Sequence, residues 1–232
     1  MTKESKLARL AGVFYLIVAV SGGFSELYVR EALIEAGDAA TTAANIAASP
    51  TLFRVAFAGD LLNITFFVLA ALALYALLEN VDHNIAVGMV VFNAVAAAIM
   101  SANMINHFAA LRVVTVMGSA QVGSDELTQL FLDMHSSGYA IAQIFFGLWL
   151  LPLGYLVYES GLFPRVLGVL LMVGSASYLA ELLAGFLFPG TAESVLLLIA
   201  LPAAIAEVSF LSWLLIKGAK TDSQPQLVSA VA

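Results

Sequence analysis

Between Tyr139 and Tyr158 the chain runs twenty residues broken by a polar amide at Gln143 alone. At about 1.5 Å of rise per residue, such a run crosses a hydrocarbon core of about 30 Å. Inside lipid every backbone N–H and C=O must be satisfied within the protein, so a run of this length commits the chain to a spanning helix. The surrounding stretch, Leu127–Gly168, opens with Asp133, His135, Ser136 and Ser137 and closes on a connector holding Pro164 and Arg165. A histidine carried into a spanning helix, two residues after an acid, is costly there and points to a role.

Five further apolar runs share this character. The spans are predicted at Leu7–Leu27, Leu52–Leu78, Ile85–Val116, Leu127–Tyr158, Val166–Phe188 and Glu193–Ile216. With 62% hydrophobic and 11% charged residues against about 45–50% and 25% in soluble domains, the chain reads as all-α, a polytopic transmembrane bundle of six helices. The basic start at Lys3, Lys6 and Arg9 resembles a signal peptide but lacks a small-x-small cleavage site, so the first run is read as a span. Tyr28–Pro50 is too polar to cross. Asp38 can cap a short outer-side helix there, ended by Ser49 and Pro50. Pro202 is expected to kink the last span. Residues 1–217 form a single domain in this reading and 218–232 a disordered cytoplasmic tail. No internal repeat suggests an inverted-repeat transporter.

Charge narrows the function classes. The net charge of −7 carries no basic patch for nucleic acid, and the absence of cysteine removes disulfides, thiolate metal sites and thiol catalysis. An even number of spans puts both termini on one side. That side gathers Lys3, Lys6, Arg9, Arg165, Lys217 and Lys220, leaving Arg30, Arg54 and Arg112 on the other. The positive-inside rule places both termini in the cytoplasm of an inner (plasma) membrane protein.

Three segments carry a resemblance. They are LARLAGVFYLIVAVSGGFSELYVR with the following GDAATTAANIAASPTLFRVAFAGDLL, then LFLDMHSSGYAIAQIFFGLWLLPLGYLVYESGLFPRVLGVLL, and AEVSFLSWLLIKG. Together, over Leu7–Gly218, they resemble the bacterial multi-pass membrane family known as domain of unknown function 4386. The resemblance implies a membrane fold and transfers no catalytic role. Where it implies a histidine after Phe145-Phe146-Gly147-Leu148, this chain has Trp149.

Three ionisable residues within the spans fall at one depth. Asp60 lies eight residues after Leu52, His135 eight after Leu127 and His107 eight before Thr115, so each sits about 12 Å from its outer helix end. Glu181, seven residues before Phe188, is close to that layer, and Glu207 lies deeper. Helical neighbours reinforce it: Asn63 with Asp60, Asn103 with His107, Tyr139 with His135, and Tyr178 with Glu181.

Four readings stay open. Imidazole with carboxylate suits a divalent metal such as zinc, iron or manganese, held by His107, His135 and Asp60 or Glu181. A spare carboxylate, Asp60 or Glu181, acting on metal-bound water would then make an intramembrane hydrolase. A proton-coupled transporter is the alternative, with Glu207 beside Pro202 extending the polar trail inward. Haem between the two histidines is a third. The fourth is a pocket for a lipid or small hydrophobic ligand among Phe66, Phe67, Phe108, Phe131, Phe145, Phe146 and Trp149, with Tyr139, Asn103, Asn63 and Tyr178 in support. Against all four stands a purely structural role. Asn63, Asn93, Asn103 and Asn106 can hold helices together, and Asp60 can pair with Arg54 or Arg112. Membrane lipids are the expected partners, and oligomerisation is open.

Overall fold

The computed structural model describes residues 2–117 and 121–220. Seven helices account for its regular structure, with no strand among the described residues. They are α1 (Lys3–Leu33), α2 (Ala39–Ala48), α3 (Pro50–Leu78), α4 (His83–Met117), α5 (Ser124–Glu159), α6 (Arg165–Leu187) and α7 (Glu193–Ile216). All but α2 are long and apolar enough to cross a membrane. Polar caps set the starts: Asp38 accepts from the Thr41 amide at 2.9 Å, and Asp82 accepts from that of Ile85 at 3.0 Å. Pro50 opens α3, where its missing N–H costs nothing.

Three boundaries differ from the sequence reading by three residues or more, the first being the start of α1 at Lys3 instead of Leu7. Helix α1 does not stop at Leu27; its backbone widens into a π-helical stretch over Phe24–Arg30 and stays helical to Leu33. Polar residues can remain helical there because Arg30 Nη1 donates to Glu26 one turn back, at 2.7 Å. Helix α5 begins at Ser124, three residues before the expected Leu127, directly after Gly123 with its left-handed φ of +82°. The expected tail falls largely outside the described residues. Of its first members, Gly218 donates to Trp213 O at 3.0 Å and Lys220 to Leu162 O at 2.9 Å.

The six long helices form a closed ring in chain order. Each packs on the next, and α7 returns to pack on α1 along the sparsest of the six seams. Without a hydrophobic gain between lipid-facing helices, close approach of backbones supplies the contact energy. Gly154 and Gly168 meet at the α5–α6 crossing, where a Cβ on either would fall within 2.7 Å of the other's carbonyl oxygen. Toward the termini the ring is filled by Leu74, Trp149, Leu153, Phe210 and Leu214. Toward the other end α2 packs on α5 over Val29, Ile46, Phe53 and Leu132. Between these two packed regions the ring is hollow.

Candidate functional site

At the α2 end of the hollow the side chains converge on Arg30. Its Nη2 donates to Asp60 Oδ2 at 2.5 Å and lies 3.1 Å from His135 Nε2 and 3.4 Å from His107 Nδ1. The Arg30 and Asp60 side chains are only 11% and 13% exposed, whereas Glu26, on Nη1, is 63% exposed. Along α1, Gly22, Gly23, Glu26, Leu27 and Arg30 all line the hollow, at the three- and four-residue spacing of one helical face.

The far nitrogens of both histidines face backbone oxygen. His107 Nε2 lies 3.3 Å from Phe53 O and His135 Nδ1 3.5 Å from Asn103 O. Asn103 in turn donates to His135 O at 2.7 Å and accepts from Asn106 at 2.9 Å. Guanidinium has no acceptor, so the near nitrogens must present lone pairs to Arg30 while the far ones donate to the carbonyls. Phe53 stacks on His107 at 4.0 Å between ring centroids, and the two imidazoles meet edge to face at 5.5 Å. Ligand atoms of Asp60, His107 and His135 all lie within 4.8 Å of one another. A metal ion, or a haem iron between the histidines, would have to sit where Arg30 Nη2 already stands.

A second cluster lies deeper, around Glu207. The Tyr15 hydroxyl donates to Oε1 at 2.5 Å and the Tyr178 hydroxyl to Oε2 at 2.7 Å, tying α1, α6 and α7 together. Glu181 is elsewhere: it accepts from Gln143 Nε2 at 2.6 Å and does not line the hollow.

The hollow itself is one cavity of about 470 Å³ that touches both clusters. Arg30, Asp60 and His135 stand at one end and Tyr15, Tyr178 and Glu207 at the other; along α1, Tyr15 and Arg30 are fifteen residues apart, roughly 22 Å. Asn63 and Asn103 edge the cavity, Asn63 also donating to Val18 O at 2.8 Å. Exposed Leu27 and Val208 mark where the wall of α1 and α7 meets the outside. Trp149 is 1% exposed and packs on Phe67 and Tyr15 at 5.1 and 6.1 Å.

The family described as domain of unknown function (DUF4386) matches residues 10–218. The chain belongs to that family. One relative is an uncharacterized protein of Archaeoglobus fulgidus, 34% identical over 171 residues, which are 74% of this chain and 87% of that protein. No solved structure matches the chain.

The structure therefore brings Asp60, His107 and His135 together, with Asn103 beside them. It puts Tyr139, Tyr178, Trp149, Asn63 and Glu207 around the same cavity and leaves Glu181 apart. Asp60 pairs with Arg30, not with Arg54 or Arg112, because Arg30 continues the α1 face that lines the cavity. Sequence reasoning counted Arg30 among the loop charges and missed Tyr15. A signal was present: a carboxylate inside a span asks for a cation at its depth, and Glu26 and Arg30, four apart at an apolar boundary, offered one.

Proposed function

We propose that this multi-pass membrane protein binds a small, partly apolar molecule in its central cavity, within reach of both polar clusters. The observation that carries the reading is the single cavity that runs between them. Concave, mostly apolar sites with a few convergent polar groups are the usual form of small-molecule sites. In this reading the protein lies in an inner (plasma) membrane with both termini in the cytoplasm, and the cavity sits in the outward half. Support comes from the basic residues: with Arg30 taken up by Asp60, only Arg54 and Arg112 oppose the six at the terminal side. A transporter is the same site with access to both faces, and the packed region around Trp149 is then its inner barrier.

The test is mass spectrometry of small molecules carried by the nanodisc-purified protein, beside Ala204→Trp, which puts an indole into the cavity wall. The expected result is a compound enriched on the wild type and absent from the variant. Equal, background-level recovery from both, with no stabilisation of the wild type across a compound library, would sink the reading.

A metal-holding form is the second reading, favoured by the backbone carbonyls behind both imidazoles, the outer-shell pattern that orients ligating histidines. It requires Arg30 to swing toward Glu26 and leave Asp60, His107 and His135 free. Elemental analysis of wild type, Arg30→Met and His135→Ala separates the cases. Zinc retained by Arg30→Met alone means that Arg30 fills the triangle; zinc on the wild type, lost in His135→Ala, establishes the metal form.

A further inference from the structure

Five aromatic rings and one carboxylate close a circuit in the cavity wall. Tyr15 meets Trp149 at 6.1 Å, Trp149 meets Phe67 at 5.1 Å, Phe67 meets Phe146 at 5.7 Å, and Phe146 meets Tyr178 at 6.3 Å. Glu207 completes the circuit by accepting from the hydroxyls of Tyr178 and Tyr15. Tyr139 extends it, 5.5 Å from Phe146. All of these residues line the cavity.

This arrangement has a sign. Aromatic faces carry negative quadrupole potential, and a cation within about 6 Å of a ring centroid is attracted to it. The ionisable side chains on the wall are Glu26, Asp60 and Glu207 against Arg30, three carboxylates to one guanidinium, with His135 serving Arg30 as an acceptor. Arg30 is already engaged by Asp60 and Glu26, so it has no charge left to offer an anion. Among the described residues Glu207 has no cationic partner; the contacts it makes there are to neutral phenols. An ionised carboxylate so placed within a spanning helix is costly unless something positive joins it.

We propose that the cavity selects organic cations, amines or quaternary ammonium groups with an apolar body, with Glu207 as the counter-ion and the aromatic circuit as the cage. The inference rests on the cavity being a ligand site and adds the ligand's class. Apolar walls such as Met100, Met104 and Leu211 would take the body of the ligand while the charged head faces Glu207.

Three probes of matched shape test it: benzyltrimethylammonium, its uncharged carbon isostere neopentylbenzene, and benzylsulfonate. Trp149 reports binding by its fluorescence in a Trp213→Phe background, where it is the sole remaining tryptophan, with partition into empty nanodiscs subtracted. The cation is expected to bind at least about tenfold more tightly than its isostere, the advantage of a charged partner over a neutral one. Glu207→Gln should abolish that preference. Phe146→Leu should reduce it without touching the carboxylate, and the comparison among probes on the unsubstituted cavity needs neither variant. Equal or tighter binding of the isostere or the sulfonate overturns the cation assignment and leaves the ligand site standing. Binding by none of the three overturns both.

Discussion

Replacing Arg30 by methionine, which keeps the apolar stem and removes the charge, tests whether the ionic cluster is a structural necessity. Asp60 and Arg30 are 13% and 11% exposed, so solvent screens their pairing little. The variant leaves a carboxylate in the bundle without its cation and two imidazole lone pairs without their donor. Removing one partner of a buried pair costs about 3–5 kcal/mol, most of it the penalty on the charge left behind. Glu26→Gln is the internal control: its side chain is 63% exposed and its i,i+4 pairing is worth no more than about 0.5 kcal/mol. Asp60→Leu and the double variant complete a cycle, in which the double variant recovers most of the loss and the coupling comes to about 2–3 kcal/mol. The assay is unfolding in bicelles by steric trapping, which reads free energy without heating. If Arg30→Met costs no more than Glu26→Gln, or the cycle shows coupling below about 0.5 kcal/mol, the guanidinium is not held as described and the reasoning fails.

Two further outcomes are expected. A Cβ at Gly138 would collide with the Asn103 amide, so Gly138→Ala should break the Asn103–His135 hydrogen bond and cost about 1–3 kcal/mol, readable by the same unfolding assay, while Gly88→Ala, with open space around it, should cost less than about 0.5 kcal/mol. Asp38 lies outside the spans, and hydrogen bonds from the Thr41 amide and hydroxyl hold its carboxyl below the ordinary range. A depressed folded-state value means that the cap stabilises α2 above the ordinary value near pH 4 and is lost as pH falls through the lower one. The protection factor of the Thr41 amide and its neighbours, exchange taken relative to the intrinsic rate at each pH, should therefore fall on acidification in the wild type. In Asp38→Ala it should be low already and show no such titration.

How much of this was legible beforehand depends on the kind of signal. Hydropathy alone located the six spans, because each is a local run whose length is set by the thickness of a bilayer. The short helix α2 was equally local, a cap residue and a proline bracketing small residues. Depth arithmetic put Asp60, His107 and His135 in one layer, since rise per residue is nearly constant. It put Glu181 close to that layer too, but depth says nothing about which way a side chain faces around the helix axis. Glu181 faces Gln143, outside the cavity.

The sequence by itself determined that the chain crosses a membrane as helices, where those helices lie, and at what level their polar residues are buried. These are properties of one segment at a time. Only the tertiary structure decided that α7 closes on α1 to leave a hollow, that Arg30 meets Asp60 and both histidines, and that Tyr15 and Tyr178, 163 residues apart, share Glu207. Helix rotation and ring order arise from contacts between distant segments. In a bundle whose every helix is apolar nearly all round, a one-dimensional pattern carries no record of which face meets which neighbour.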